Sequence, residues 1–196
     1  LSLHDALPIC FGGPYGGFLS QDDVREIVAY AAARHMAVVP EIEMPGHSRE
    51  TVYACPAVGC KETSDDLCPG KEATFAFLEE VLDEVMDLFP SEFIHIGGDE
   101  AGRRDWPGCP DCRRRMQEEG LSSVEELQSY LVRRIERYLG DHGRRLIGWD
   151  EILEGGLSPN ATVMSWRGTE GGLQAIREGH DAVMTPGNRC YLDKVQ

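Results

Sequence analysis

The run Phe93-Ile94-His95-Ile96-Gly97-Gly98-Asp99-Glu100 decides the fold. Phe93 to Ile96 is short, branched and aromatic, the composition of a strand. Before it, from about Ala73 to Leu88, the residues Phe77, Leu78, Val81, Leu82, Val85 and Leu88 recur at helical spacing, and Pro90 ends the run. After it comes a long loop, 99–122, and then a second helical pattern over Val124 to Leu139, with Ser122 or Ser123 as its cap and Leu127, Leu131, Ile135 and Tyr138 on one face. A helix, a short strand, a long loop and another helix make the repeat of a parallel α/β sheet.

Working outward, the same repeat continues in both directions. Further strands are predicted over Met36 to Ile42, Leu146 to Trp149, Thr162 to Trp166 and Asp181 to Met184. A first helix is expected from about Asp22 to Ala33, opened by Ser20 and Asp23 as a capping-box variant and burying Val24, Ile27, Val28 and Ala31. A short fourth helix is expected over Thr169 to Gly179, with Leu173 and Ile176 on it. Loops 44–72 and 99–122, which follow strands, are far longer than those that precede them, the pattern of a (β/α)8 barrel with its chemistry at the strand C-termini. A whole barrel has eight strands and typically ~250 residues. Five strands in 196 residues therefore read as a partial (β/α)8 TIM barrel. Residues 1–12 are left unassigned as a remnant, since 1–10 carry no clean period, and 13–196 are read as an incomplete barrel domain.

Composition narrows the function. With 34 acidic and 19 basic residues the formal net charge is −15, which repels phosphate backbones and disfavours nucleic acid as a partner. No apolar run reaches the ~18–20 residues of a membrane span, and the visible N-terminus lacks the basic and apolar segments of a signal peptide. Seven cysteines, at 10, 55, 60, 68, 109, 112 and 190, leave at least one unpaired within a monomer. The Cys109-Pro110-Asp111-Cys112 spacing supplies two of the four ligands of a structural zinc site and no second C-x-x-C follows, so a local loop staple or plain thiols is favoured over zinc or a redox pair.

The candidate chemistry lies at strand ends. Adjacent residues on a regular strand face opposite ways, so Asp99 and Glu100 share a site only where the strand has broken, and Gly97-Gly98 permits that break. Two neighbouring carboxylates can divide into a protonated acid and an ionised partner, the arrangement glycoside cleavage uses. In Pro40-Glu41-Ile42-Glu43-Met44-Pro45-Gly46-His47, Glu43 and His47 are placed to hold one another and orient a catalytic acid. Trp149 in Gly148-Trp149-Asp150-Glu151 and Trp166 in Met164-Ser165-Trp166-Arg167-Gly168 end successive strands, where an aromatic face suits a sugar ring, although core packing is the competing reading. Tyr191-Leu192-Asp193 puts a phenol and a carboxylate on one side of an extended segment. A metallohydrolase built on His47, His95, Asp99 and Glu100 is a further alternative.

Five of these motifs, P-E-I-E-M-P-G-H (40–47), H-I-G-G-D-E (95–100), G-W-D-E (148–151), M-S-W-R-G (164–168) and Y-L-D (191–193), resemble in order those of the family 20 glycoside hydrolases, the β-N-acetylhexosaminidases. The resemblance implies strands three to seven of that family's barrel. It implies an exo-acting, retaining hydrolase that removes terminal GlcNAc or GalNAc by substrate-assisted catalysis, an exception to the usual carboxylate nucleophile, with no metal and no cofactor. By the same resemblance Glu100 is the acid and base, and Asp99 orients the acetamido nitrogen. Tyr191 bonds the acetamido oxygen, Trp149 and Trp166 wall its pocket, His95 and Asp193 serve substrate binding, and His47 with Glu43 supports Glu100. The family commonly has Asp where this chain has Glu43. Its strand-one Arg and its Trp and Glu after strand eight have no counterpart here, so the 196 residues alone are expected to be weakly active. The partners implied are N-acetylhexosamine glycans, and glycan chemistry implies a periplasmic or extracellular location. A catalytically inactive carbohydrate-binding barrel is the alternative.

Overall fold

The computed structural model describes residues 17–192. The unassigned segment 1–12 and Asp193 therefore lie outside the described residues. Four parallel strands, β1 (Phe93–His95), β2 (Arg145–Trp149), β3 (Thr162–Ser165) and β4 (Ala182–Met184), lie side by side in chain order. Phe93 pairs with Arg145, Ile147 with Thr162, and Val163 with Ala182. The helices are α1 (Gln21–Ala32), α2 (Arg49–Ala54), α3 (Glu72–Leu88), α4 (Pro110–Glu118), α5 (Val124–Asp141), α6 (Glu170–Arg177) and α7 (Gly187–Cys190). β1 connects to β2 through α4 and α5 and β3 to β4 through α6, whereas β2 reaches β3 through a 3-10 turn at Asp150–Leu153; the parallel strands with helical crossovers are the barrel repeat.

The expected strand over 36–42 is realised only in part. It runs beside β1 with one parallel bridge, Glu41 to His95, and three ladder bonds, His95 N–H to Pro40 O, Ile42 N–H to His95 O and Met44 N–H to Ile96 O. Pro40 has no N–H to donate, so the ladder is broken where a regular strand would continue. The long loops contain short helices that apolar periodicity did not announce, α2 and α4 among them, because each is short and α4 is polar on nearly every face.

Capping chemistry behaves as the sequence indicates. Ser20 accepts from the Asp23 N–H while Asp23 accepts from the Ser20 N–H, the reciprocal box that starts α1. Of the two candidate serines before α5, Ser123 is the cap and accepts from Glu126 N–H.

Leu78, Leu82 and Val85 of α3 and Leu131, Ile135 and Leu139 of α5 are buried in one cluster with Ile94 of β1, Leu146 of β2 and Val163 of β3. Each such side chain contributes roughly 1.5–3 kcal/mol by leaving water. The burial expected of α1 does not hold: Ala31 is buried, yet Ile27 is 45% exposed. Met36 beside it is 54% exposed, and Met184 and Ile176 at the β4 edge are also open. Parallel sheets normally have both faces covered, and among the described residues the apolar positions of α1 and α6 are left partly open.

Candidate active site

The site forms where β1 ends. Gly97 (φ +66°) and Gly98 (φ +94°) turn the chain out of the sheet, and Glu100 follows at φ +47°. This turn brings the adjacent carboxylates to one side. His47, also at positive φ, stands between them, with Nε2 3.4 Å from Asp99 Oδ2 and 3.5 Å from Glu100 Oε2. The two acids differ in environment. The Asp99 side chain is 15% exposed and its Oδ1 is buried without a hydrogen-bond partner, whereas Glu100 is 57% exposed. Gly46 lets this turn close, since a Cβ there would lie 2.7 Å from the Asp99 carbonyl oxygen.

Glu43 lies beneath, against Gly97. Burial, then the charges of Asp99 and Glu41, push its carboxyl up to about 7. The nearby charge of His47 partly offsets that rise, and Glu43 Oε2 is buried without a hydrogen-bond partner. Glu41 was not singled out by the sequence reading, yet it ties the floor together: its Oε1 is 3.1 Å from His95 Nδ1 and accepts from Trp149 Nε1 at 2.8 Å. The His95 bond chiefly holds the Glu41 carboxyl below its usual value. The signal was available in the alternation of an extended chain, which puts Glu41 and Glu43 on one face.

His95 is buried, packs edge-on against Trp149 with ring centroids 4.7 Å apart, and keeps a buried Nε2 without a hydrogen-bond partner. Trp166 donates to Glu151 Oε2 at 3.0 Å and stacks on Tyr191, with centroids 6.3 Å apart and planes 12° from parallel. The two expected tryptophans thus stand half-buried at the ends of neighbouring strands, each held through its indole N–H by a glutamate. Buried Glu151 has its carboxyl raised by that burial, with Arg167 nearby as counter-charge.

The loop carrying the two acids is fastened from below. Buried Gln128 of α5 donates to the Gly98 carbonyl at 2.7 Å and accepts from Arg103 Nε at 2.7 Å. Arg103 reaches Glu125 and Glu154, and Asp66 accepts from the N–H groups of Gly102 and Arg103. Loop 44–72, helix α5 and the post-β2 turn thereby fix the Asp99-Glu100 turn, a role no local motif signals because its members are distant in sequence. The metal-ligand set His47, His95, Asp99 and Glu100 does not assemble: ligand atoms of His47, Asp99 and Glu100 lie within 4.8 Å of one another, but His95 is turned to Glu41.

A pH prediction follows from Glu43. Its folded value is raised, so its protonated form stabilises the fold fully below about 4.5, and that contribution is lost as pH rises through about 7. Glu43→Gln keeps a neutral side chain at every pH. Thermal unfolding of wild type and variant is expected to converge at acid pH, with the variant the more stable above pH ~7.5. Parallel curves across that range would assign the raised carboxyl elsewhere.

A partial α/β barrel with paired acids, a bridging histidine and tryptophans at its mouth is the class that fold and site define. The catalytic-domain description of glycosyl hydrolase family 20 matches residues 5–196, and the chain belongs to that family. It is 48% identical over 197 residues to a β-hexosaminidase of Porphyromonas gingivalis, spanning 94% of this chain and 25% of that protein. A β-hexosaminidase of Vibrio furnissii is 39% identical, with 93% of this chain and 32% of the relative covered. Among solved structures, the β-N-acetylhexosaminidase of Bacteroides fragilis superposes with a TM-score of 0.81 at 37% identity, covering 91% of this chain and 38% of that one. The exo-β-N-acetylglucosaminidase of Vibrio harveyi in complex with N-acetylglucosamine superposes at 0.84 with 31% identity, covering 93% and 30%. The chain spans about a quarter to a third of the length of these curated relatives.

Proposed function

We propose that this chain carries the central part of the catalytic barrel of an exo-acting, retaining β-N-acetylhexosaminidase that cleaves terminal N-acetylhexosamine by substrate-assisted catalysis. The observation that carries the reading is the meeting of Asp99 and Glu100 around one nitrogen of His47. Glu100, the more exposed acid, protonates the glycosidic oxygen as the bond to C1 breaks. The substrate's acetamido oxygen takes the leaving group's place at C1, giving an oxazolinium intermediate. Asp99, enclosed and carrying a buried unpartnered oxygen, accepts from the acetamido N–H and offsets the developing positive charge. Glu100 then takes a proton from water, which opens the intermediate with net retention.

Trp149 and Trp166 wall the acetamido group, Tyr191 bonds its oxygen, and Asp193 binds a sugar hydroxyl. The relatives' names support the substrate class, and the enzyme acts on glycans in the periplasm or outside the cell. The 196 residues turn over poorly in isolation, because their apolar edges await partners.

The test uses the gene extended to its natural ends. 4-Nitrophenol release is expected from the β-N-acetylglucosaminide and not from the plain β-glucoside, since the latter lacks the internal nucleophile. Equal release from both would overturn substrate assistance, and no release from a folded protein would favour a carbohydrate-binding barrel.

A further inference from the structure

Away from the acids, four cysteines converge. Cys60 and Cys68 come from the loop after α2, while Cys109 caps α4 and Cys112 lies in its first turn. Their sulfur atoms all lie within 4.8 Å of one another. The Cys60–Cys112, Cys68–Cys112 and Cys68–Cys109 separations are 3.6, 3.5 and 3.7 Å. A disulfide requires about 2.05 Å. Four thiolates around zinc, with Zn–S near 2.3 Å and tetrahedral angles, stand roughly 3.8 Å apart. We propose that Cys60, Cys68, Cys109 and Cys112 form a structural tetrathiolate zinc site that clamps loop 55–72 to the loop and helix following the paired acids.

The surroundings are built for it. Cys68, Cys109 and Cys112 are buried, and fully buried Trp106 joins them in one cluster, its indole N–H donating to the Leu67 carbonyl at 3.0 Å. A closed, four-ligand site with no place for water is the structural kind rather than the catalytic kind. Cys109 at the N-cap and Cys112 in the first turn of α4 put both sulfurs at one end of that helix. Lys61 adjoins Cys60 in sequence and Arg114 stands on α4 two residues past Cys112, placing cations on both segments that carry the thiols. Gly70 permits the seating, since a Cβ there would come within 2.3 Å of the Asp111–Cys112 backbone.

The pairing missed from sequence is of Cys109-x-x-Cys112 with a Cys60-x7-Cys68 pair, a spacing outside the usual short knuckle, which only the fold brings across. The site's purpose is positional. The loop it secures also carries Ser64 and Asp66, which bond Asp105 and the Gly102 and Arg103 N–H groups just beyond Glu100.

The test is metal analysis of the full-length protein, purified under reducing conditions without chelator and reconstituted with zinc sulfate. Close to one zinc per chain is expected, with the zinc released when a mercurial titrates the thiols. Cobalt in its place is expected to give the intense sulfur-to-metal absorption of a tetrahedral thiolate site, a wild-type readout that needs no variant. Cys60→Ser is expected to lose most of the zinc, whereas Cys55→Ser and Cys190→Ser, both outside the cluster, keep it. Folded wild-type protein that takes up no zinc overturns the site. So does iron in zinc's place, or an intact mass and peptide map showing two disulfides among these four residues. None of these readouts depends on turnover, so they stand or fall apart from the hexosaminidase reading.

Discussion

Glu100→Gln in the full-length protein is expected to lower kcat/KM on an N-acetylglucosaminide with a poor, alkyl leaving group by roughly 10²–10⁴-fold. The amide keeps the shape of the carboxyl but has no proton to give and cannot take one from water. KM should move little, because Glu100 is 57% exposed and makes its close polar contact with His47 rather than with the buried floor of the site. A good leaving group such as 4-nitrophenol needs less protonation, so the first chemical step should suffer less with the aryl substrate than with the alkyl one. The alkaline limb of the kcat/KM profile that belongs to the acid should also disappear. Equal losses on both substrates with the pH profile intact would move the acid's role to another residue. A loss carried wholly by KM would make Glu100 a binding group.

Much of this site was legible in the chain because its signals are local. A strand that ends in Gly97-Gly98 and runs into Asp99-Glu100 states both the break and the paired acids within eight residues, and the turn at positive φ is what the structure has there. Trp149 and Trp166 were legible for the same reason, Trp149 closing β2 and Trp166 following β3 directly. What was not legible depends on distance along the chain. Gln128 looks like one polar residue among many on α5, yet it is buried and holds the Gly98 carbonyl. Asp66 and Cys68 sit in a loop without periodicity, and only its return across the barrel mouth gives them partners at 102–112. The strand expected over 36–42 reads as regular by composition, but its Pro40 removes the donor on which the ladder depends. The apolar period of α1 is present in the sequence, but only Ala31 of the expected face is buried and Ile27 is 45% exposed, so periodicity alone does not establish burial.

The second large effect is expected from a residue with no side chain. Gly97→Ala should destabilise the full-length protein by about 2–6 kcal/mol, the sum of a left-handed backbone strain of ~1–3 and an overpacking cost of ~1–3. Gly97 has φ +66°, and a Cβ added there would stand 2.0 Å from Glu43 Oε2. That oxygen is buried and has no hydrogen-bond partner, so the contact is relieved only by a shift of the half-buried Glu43 side chain or of the turn itself. Gly143 supplies the internal control. Its φ is +69° with nothing within 4 Å, so Gly143→Ala carries the backbone cost alone. The difference between the two variants' unfolding free energies therefore isolates the contact with Glu43. Shortening that side chain in Gly97→Ala/Glu43→Ser should recover the contact's share of stability and leave the backbone's share lost. Activity should follow a different course. Any outward shift of the Gly97 turn carries Asp99 and Glu100 with it, and a displacement of about 1 Å at reacting groups can cost on the order of 10²-fold in rate. The double variant is thus expected to regain stability without regaining turnover. If Gly97→Ala and Gly143→Ala lose the same stability, the close approach of Glu43 to Gly97 does not constrain the site, and the long glutamate at position 43 is accommodated by some other adjustment of the turn.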